Sequence, residues 1–229
     1  MPMLSIVVLC FRSEDKIIFF LDELQNNLKK EKIEYELILV GNYIENYPDK
    51  TPEIIKDYSK KHTNIVTVTN KKKGGMGWDA ITGFNKCSGD SIAFIDGDGQ
   101  YPSKDIVRVY KIFQIGEFDF VKTYRKQRFD GFFRKMQSNL FNLFFKILFP
   151  FSQFKDINSK PKIFSSKAYK KMNLKCPGWF LDGEIILEVS RLKLSYAEIP
   201  TVFKKNEFRG SFINKSAIVN MIYSLIVYR

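Results

Sequence analysis

Short apolar runs alternate with stretches of helical spacing along the first hundred residues. Runs rich in Ile and Val predict buried strands. They lie at Leu4–Leu9, Tyr35–Val40, Ile65–Val68 and residues 91–95. Between them, apolar residues recur every three or four positions and predict helices, at residues 13–30, 52–61 and 78–86. Ser13 is the expected N-cap of the first helix.

This alternation predicts an α/β fold with a parallel-dominated (mixed) sheet flanked by helices. The second half predicts strands at 118–121 and 197–203 and a helix at 183–192. Because no linker or repeat interrupts the chain, we expect a single domain over residues 1–212. It would have two halves, 1–120 and 121–212, and an amphipathic helix at 213–229 would follow it. Ligands of such sheets bind beyond the carboxyl ends of the strands.

Composition narrows the class of protein. The chain has 229 residues, and 45% of them are hydrophobic, which excludes a disordered protein. The net charge of +12 lies entirely between residues 122 and 175, where 14 basic residues face 2 acidic ones. We therefore expect this segment to contact an anionic partner or an anionic surface.

Cysteine and histidine usage points to a cytoplasmic protein without zinc. Three cysteines far apart fit reduced thiols, and a lone His62 in a polar stretch offers no zinc site. The start of the chain lacks the features of a signal peptide. The apolar run at 216–228 is shorter than the roughly 20 residues that cross a bilayer.

The most informative motif is Asp96-Gly97-Asp98, directly after a predicted strand. Two carboxylates on a turn can bind one hard cation, and Mg²⁺ or Mn²⁺ is usually held by one or two carboxylates plus substrate phosphates. Asp96, Asp98 and Gln100 are the candidate ligands. The alternative is a solvated Asp-Gly turn.

A basic run leads into a glycine-rich loop at residues 71–77, before a predicted helix. Backbone N–H groups at a helix start can hold phosphate. The loop matches neither a Walker sequence nor a dinucleotide fingerprint. A plain loop is an equally good interpretation.

Together these motifs resemble those of the family 2 glycosyltransferases, which transfer a sugar from a nucleotide donor on an A-type α/β fold. The resemblance runs from Ser5 to about Ser211, and residues 95–102 carry its most specific part. It implies a donor-binding half at 1–120, an acceptor half at 121–212, and Mg²⁺ or Mn²⁺ as cofactor. The nucleotide-sugar contacts that it implies are Leu9, Phe11, Ser13, Glu14, Asn42, Gly75, Asp79, Asp96 and Asp156.

One departure concerns the nucleotide base. The family usually carries Asp-Asp-Gly-Ser after the second strand, and its first Asp contacts the base. Here Gly41-Asn42-Tyr43 follows that strand. Asn42 could still hydrogen-bond a base edge, and the identity of the nucleotide stays open. Asp156 is expected to orient an arginine or lysine, or the donor sugar.

The subgroup that the chain resembles most is the polyprenyl-phosphate sugar transferases. That resemblance places Arg125, and Arg134 with Ser138, against the lipid phosphate, as suits guanidinium geometry. A solvated face is the alternative. Asp98 and Asp182 are the candidate catalytic residues. Asp182 would be a general base toward a sugar hydroxyl, or would position the donor sugar if the acceptor is a phosphate.

Residues 140–151 are apolar nearly all round. They predict a helix at the membrane surface, or a core helix. The segment at 213–228 is a second membrane candidate, or a contact in a homo-oligomer.

The sequence therefore predicts a metal-dependent inverting glycosyltransferase, peripheral on the cytoplasmic face of a membrane. A nucleotide-diphosphate sugar would be the donor, and a polyprenyl phosphate or other lipid-linked compound the acceptor. One alternative acceptor is a saccharide hydroxyl in polysaccharide synthesis. A basic nucleic-acid-binding module is the rival class, but the Phe/Leu runs argue against stacking on nucleic acid, which we do not expect as a partner. A nucleotidyltransferase and an inactive homologue are the remaining alternatives.

Overall fold

The computed structural model describes residues 3–206 and 215–228. Its strands are β1 (Leu4–Leu9), β2 (Tyr35–Val40), β3 (Ile65–Val68), β4 (Ser91–Asp96), β5 (Phe120–Arg128), β6 (Lys162–Ser165) and β7 (Tyr196–Phe203). Its helices are α1 (Lys16–Lys30), α2 (Thr51–Ser59), α3 (Met76–Phe84), α4 (Lys104–Ile115), α5 (Phe132–Leu148), α6 (Ser166–Lys171), α7 (Leu181–Arg191) and α8 (Lys215–Val227).

The strands form one mixed sheet in the order β3-β2-β1-β4-β6-β5-β7. The first four neighbours in this order run parallel, β6 runs antiparallel to both β4 and β5, and β5 pairs in parallel with β7. The predicted fold class is thus confirmed. β1, β2 and β3 also have the predicted bounds.

The antiparallel strand β6 was not predicted. Its sequence, Lys162-Ile-Phe-Ser165, lacks the apolar run of a buried strand, yet Lys162 is fully buried in the sheet. Helices α4 and α6 were not predicted either. β5 continues to Arg128, well beyond the predicted 118–121.

The chain turns before α1, so the prediction of Ser13 as N-cap is wrong. Arg12 and Glu14 both have positive φ angles, 54° and 49°, which are incompatible with helix at these positions. The helix begins at Lys16, after Asp15. The Ser13 hydroxyl is buried and makes no hydrogen bond within the described structure.

Two apolar clusters cover the two faces of the sheet, and β1 contributes to both because its side chains alternate. Ile6 and Val8 pack on the side of α1, α2 and α4. Val7 and Leu9 pack on the side of α3 and α7. The central strands are therefore held from both sides, and their carboxyl ends are fixed in position.

Helix α5 lies outside these clusters along most of its length. Phe145 is its one buried residue, and Phe141 and Leu148 pack partly on the second cluster, so one face of the helix contacts the core and the rest does not. Large apolar side chains are exposed along it: Phe132, Phe133, Met136, Leu140, Leu143, Phe144 and Ile147. Helix α8 packs against α5 and also exposes apolar side chains. Ile213 and Arg229, the two ends of the predicted C-terminal helix, lie outside the described residues.

In the described ranges, 3–206 and 215–228, none of the helices has the length and apolar character needed to cross a membrane.

Helix α3 approaches the sheet closely at Gly83, and this contact yields a test of the packing. A Cβ there would lie 2.5 Å from Val7 Cγ1 and 2.8 Å from Val40 Cγ2, both in buried strands. We expect Gly83→Ala to destabilise the protein by about 1–3 kcal/mol, the usual cost of overpacking, in chemical unfolding followed by circular dichroism. Gly178→Ala is the control, because the nearest atom to its Cβ would lie 4.0 Å away. Equal losses in both variants would contradict this packing.

Candidate active site

A cavity of about 370 Å³ opens at the carboxyl ends of β1 and β4. Eleven of the predicted site residues line it: Leu9, Phe11, Gly75, Asp79, Asp96, Asp98, Gln100, Arg125, Arg134, Ser138 and Asp182. Apolar side chains of α5 and α8 line it as well: Leu140, Phe141, Phe144, Met221 and Ile222. The cavity thus connects an acidic turn at the sheet with an apolar rim.

The acidic turn is built by the end of β4. Asp96 is the last residue of the strand and pairs in register with Leu9 of β1. The Gly97 N–H donates to the Leu9 carbonyl at 3.0 Å, and a Cβ on Gly97 would lie 2.5 Å from Ile17 Cδ1. Glycine is therefore required there to bring both carboxylates to the cavity.

The donor atoms of this turn suit a hard divalent cation. Asp98 Oδ1 accepts a hydrogen bond from the Gln100 N–H at 3.1 Å, which orients the carboxylate. The Gln100 side-chain amide donates to the Lys204 carbonyl at 2.9 Å. Within residues 3–206 and 215–228, no cluster of three or more His, Cys, Asp or Glu side chains could form a metal cage. Two carboxylates and incoming phosphate oxygens fit Mg²⁺ or Mn²⁺.

Asp182 lies in the first turn of α7 and faces two lysines that carried no sequence signal. Its Oδ1 pairs with Lys162, and its Oδ2 lies 3.3 Å from Lys160 Nζ. Burial opposes its charge, but Lys160 and Lys162 outweigh burial and hold the pKa of Asp182 below its usual value. A carboxylate with a lowered pKa is a weak base. This environment disfavours the role of Asp182 as general base.

Lys160 joins the two halves of the site. Its Nζ lies 3.2 Å from Asp96 Oδ2 as well as 3.3 Å from Asp182 Oδ2. Its side chain is buried and lines the cavity. Burial would lower the pKa of Lys160, but Asp182 and Asp96 raise it above its ordinary value, so the ammonium is charged. Its position in an irregular, polar stretch gave no sequence signal.

The predicted acceptor arginines have different surroundings. The Arg125 guanidinium is bound by both oxygens of Asp156, at 2.6 and 2.7 Å, and also donates to Ser138 Oγ at 2.9 Å. Burial opposes the charge of Asp156, but Arg125 outweighs it and lowers the pKa of this carboxyl far below its usual range. The side chain of Arg134 is about a third exposed and lies 3.7 Å from Asp130.

Asp156 therefore orients an arginine, as one of its two predicted roles states. Its predicted contact with the donor sugar stays a prediction: both carboxylate oxygens are bound by Arg125, and the side chain does not line the cavity.

The predicted base contact Asn42 does not line the cavity, and its base binding stays a prediction. Its amide is fully buried, donates to Asp79 Oδ1 at 2.9 Å and to Thr82 Oγ1 at 3.2 Å, and accepts from the Asn70 N–H at 2.8 Å. Asn42 therefore holds Asp79, which does line the cavity. Asp79 also pairs with Lys72.

Two further contacts with the nucleotide sugar stay predictions. Ser13 and Glu14 do not line the cavity. The Glu14 side chain is exposed, and its backbone N–H donates to Thr51 Oγ1 at 2.9 Å.

The glycine-rich loop is not a phosphate cradle. The N–H groups of Gly75 and Gly77 donate to the carbonyls of Pro177 and Gly178, at 2.7 and 3.0 Å. A Cβ on Gly77 would lie 2.2 Å from the Cys176 carbonyl oxygen. These glycines allow the donor half to contact the segment before α7.

Comparison with known proteins fits this architecture. The family model described as glycosyl transferase family 2 matches residues 5–176, about three quarters of the chain. The chain belongs to glycosyl transferase family 2.

Relatives of this family 2 glycosyltransferase include undecaprenyl-phosphate 4-deoxy-4-formamido-L-arabinose transferases. That of Photorhabdus laumondii is 32% identical over 60% of this chain and 42% of its own length. That of Pseudomonas fluorescens is 29% identical over 61% of this chain and 40% of its own length. The chain spans about two fifths of the length of these relatives.

The fold has close counterparts among solved structures. Glucosyl-3-phosphoglycerate synthase from Mycobacterium tuberculosis, in complex with Mn²⁺, UDP and phosphoglyceric acid, superposes with a TM-score of 0.75 at 19% identity. The match covers 99% of this chain and 78% of that one. The chain thus has the A-type glycosyltransferase fold.

The basic segment of this glycosyltransferase is partly an internal feature. Five of its fourteen basic side chains are nearly buried and paired with carboxylates: Lys122, Arg125, Arg128, Lys160 and Lys162. Their partners include Asp96, Asp182 and Glu198 from outside the segment. These five residues therefore already have carboxylate partners within the protein, and Arg125, Arg128 and Lys160 also line the cavity.

The Asp156–Arg125 pair gives a prediction for stability. We expect Asp156→Asn to cost about 3–5 kcal/mol, because it leaves a buried guanidinium without its counter-charge. Chemical unfolding at neutral pH measures the loss. Asp57→Asn removes an exposed ion pair with Lys60 and should have no measurable effect.

The same variant has a defined pH dependence. The folded-state pKa of Asp156 is lowered, so its contribution is complete above the unfolded value of about 4 and is lost as the pH falls below it. The stability difference between wild type and Asp156→Asn should therefore narrow below about pH 4. A gap that widens on acidification would contradict the lowered pKa.

Proposed function

We propose that this chain transfers a sugar from a nucleotide-diphosphate sugar to a polyprenyl phosphate or other lipid-linked acceptor, with inversion at the sugar carbon. One observation carries the proposal: a single cavity leads from the acidic turn at Asp96 and Asp98, past Arg125 and Arg134, to the apolar side chains of α5 and α8. A phosphate with a hydrocarbon tail matches that sequence of surfaces. The names of the undecaprenyl-phosphate transferases support the same acceptor class.

The nucleoside would bind at the end of the cavity near Leu9, Phe11 and Asp79. Lys72 pairs with Asp79 and lies 4.3 Å above the Phe11 ring, so a cation and a carboxylate adjoin one aromatic face. Burial raises the pKa of Asp79, against the opposing influence of Lys72. The Asp79 carboxylate, rather than the Asn42 amide, would then accept a hydrogen bond from a base N–H.

The donor diphosphate would bind beside the acidic turn. Asp96, Asp98 and the Gln100 side chain would hold Mg²⁺ or Mn²⁺, whose charge would counter that of the departing diphosphate. Asp98 is oriented for this by the Gln100 N–H. The UDP and Mn²⁺ in the M. tuberculosis structure support this class of donor and metal.

The acceptor phosphate would lie against Arg134 and the outer face of Arg125. Arg125 is held rigidly by Asp156 and Ser138, while Arg134 is partly exposed on α5. The contact of Ser138 in this structure is with Arg125, so its main role would be to hold that guanidinium in place. A guanidinium binds phosphate through paired N–H bonds.

The environment of Asp182 favours a phosphate acceptor over a hydroxyl. A phosphate monoester has a second pKa of about 6 and is an anion at neutral pH, so it needs no base. Its oxygen would form the new bond to the sugar carbon as the bond to the diphosphate oxygen breaks. The bonding electrons and the nucleoside diphosphate would leave together. Asp182, bound to two lysines, would position the donor sugar.

The exposed apolar faces of α5 and α8 support attachment to the membrane surface. Phe133 is 74% exposed, and exposed Lys135 and Lys146 lie on the same helix. Such a face can enter the headgroup region while lysines contact anionic lipids. The expected position on the cytoplasmic face stays a prediction.

The first test concerns donor and metal. We expect Asp98→Asn to lower kcat by at least about 100-fold with Mg²⁺ or Mn²⁺ present, because charge developing on the diphosphate is no longer countered. Thermal shift with UDP-, GDP-, CDP- and ADP-sugars should show stabilisation by one base, dependent on metal and on Asp98. Asp57→Asn is the control. Full activity of Asp98→Asn would contradict the proposal that Asp98 binds the metal.

The second test concerns acceptor and membrane. With polyprenyl phosphate in anionic vesicles, we expect Phe133→Asp to lower transfer at least tenfold, because a charge on the apolar face weakens insertion. Transfer to a short, water-soluble isoprenyl phosphate should be unchanged. Phe19→Asp is the matched control, because Phe19 is 79% exposed on α1. Transfer to a saccharide hydroxyl, and none to either phosphate, would overturn the acceptor assignment.

A further inference from the structure

Lys160 occupies a position that the proposed reaction does not yet explain. Its ammonium lies between a carboxylate of the acidic turn and the carboxylate at the start of α7, at 3.2 Å from Asp96 Oδ2 and 3.3 Å from Asp182 Oδ2. Lys162 pairs with the other oxygen of Asp182. Lys160 is thus shared between the two carboxylates, and part of its charge acts on Asp96.

Asp96 belongs to a sparse set of metal ligands. The part of the chain that the structure describes offers no cluster of three or more His, Cys, Asp or Glu side chains for a metal. A divalent cation would rely on Asp96, Asp98 and oxygen atoms from the substrate. Lys160 places a positive charge against Asp96 and so reduces the negative charge that a dication meets there.

The consequence is a low affinity for metal in the absence of substrate. An ammonium that shares a carboxylate with a dication repels it, and even in a water-like dielectric this repulsion amounts to about tenfold in affinity. A bound nucleoside diphosphate would offset this repulsion. Its negative charges attract both the metal and the ammonium, and its oxygens complete the metal's coordination.

We propose that Lys160 is a positioning residue that makes divalent-metal binding at Asp96 and Asp98 depend on the nucleotide diphosphate. The inference rests on the proposed function, because it takes these two carboxylates as the metal ligands. Coupling between two ligands is reciprocal, so the metal strengthens nucleotide binding by the same factor. The free enzyme then holds little metal, and metal and donor bind together.

The test measures Mn²⁺ binding directly, without activity. Free Mn²⁺ is followed by electron paramagnetic resonance during titration of the full chain, alone and with UDP, GDP, CDP or ADP at saturation. We expect wild type to bind Mn²⁺ weakly alone and far more tightly with one of the nucleotides. In the absence of nucleotide, Lys160→Met should bind Mn²⁺ about tenfold more tightly than wild type. The nucleotide should then increase the Mn²⁺ affinity of this variant less than it does in wild type.

Matched variants separate charge from structure. Lys160→Arg retains the charge and should behave as wild type. Lys86→Met removes an exposed lysine after α3 and should also leave Mn²⁺ binding unchanged. Lys160→Gln removes the charge but can still donate a hydrogen bond, so it should reproduce Lys160→Met and serves if that variant folds poorly. A merely structural role would lower the melting temperature without tightening metal binding.

The outcomes distinguish this inference from the proposed function. Loss of Mn²⁺ binding in Asp98→Asn, together with unchanged Mn²⁺ affinity in both uncharged Lys160 variants, would overturn the role of Lys160 and leave the metal site standing. No Mn²⁺ binding by wild type with any nucleotide would overturn the metal site and the inference together. Tighter Mn²⁺ binding in both uncharged variants, with Lys160→Arg like wild type, supports the proposal.

Discussion

The geometry of the site depends on buried carboxylates held by buried cations. Asp182 faces Lys160 and Lys162, and Asp156 faces Arg125. Such pairs add little stability compared with apolar packing, because desolvation offsets their attraction, but removing one partner is costly. They therefore fix the relative positions of the groups they join. Here they connect the end of β4, the start of α7 and the β5 strand around one cavity.

This network also gives the charge distribution a structural meaning. The surplus of +12 lies in one segment, yet several of its cations neutralise carboxylates contributed by other segments. Other lysines of the segment are exposed, among them Lys135 and Lys146 on α5. One basic segment thus supplies both internal counter-charges in the site and exposed cations.

The sequence predicted those features whose signal is local. The acidic turn was predicted because Asp96 and Asp98 follow a strand with its own apolar pattern, and eleven of fifteen predicted site residues do line the cavity. Asn42 and the glycine loop share a feature that the sequence does not show. Each has the right chemistry to bind a ligand, but neighbours distant in sequence, Asp79 for one and Pro177 with Gly178 for the other, already use that chemistry. β6 was missed because its burial comes from the strands on either side of it.

By itself, the sequence determined the α/β order, the first three strands, the acidic turn and the segment that carries the charge. These depend on periodicity and on neighbours within a few residues. Only the tertiary structure decided which polar groups are already satisfied and which face the cavity. Lys160 illustrates the difference: its role depends on Asp96, 64 positions away, and on Asp182, 22 positions away. Hydrogen bonds and ion pairs act over about 3 Å in space, and the sequence does not specify which distant residues come that close.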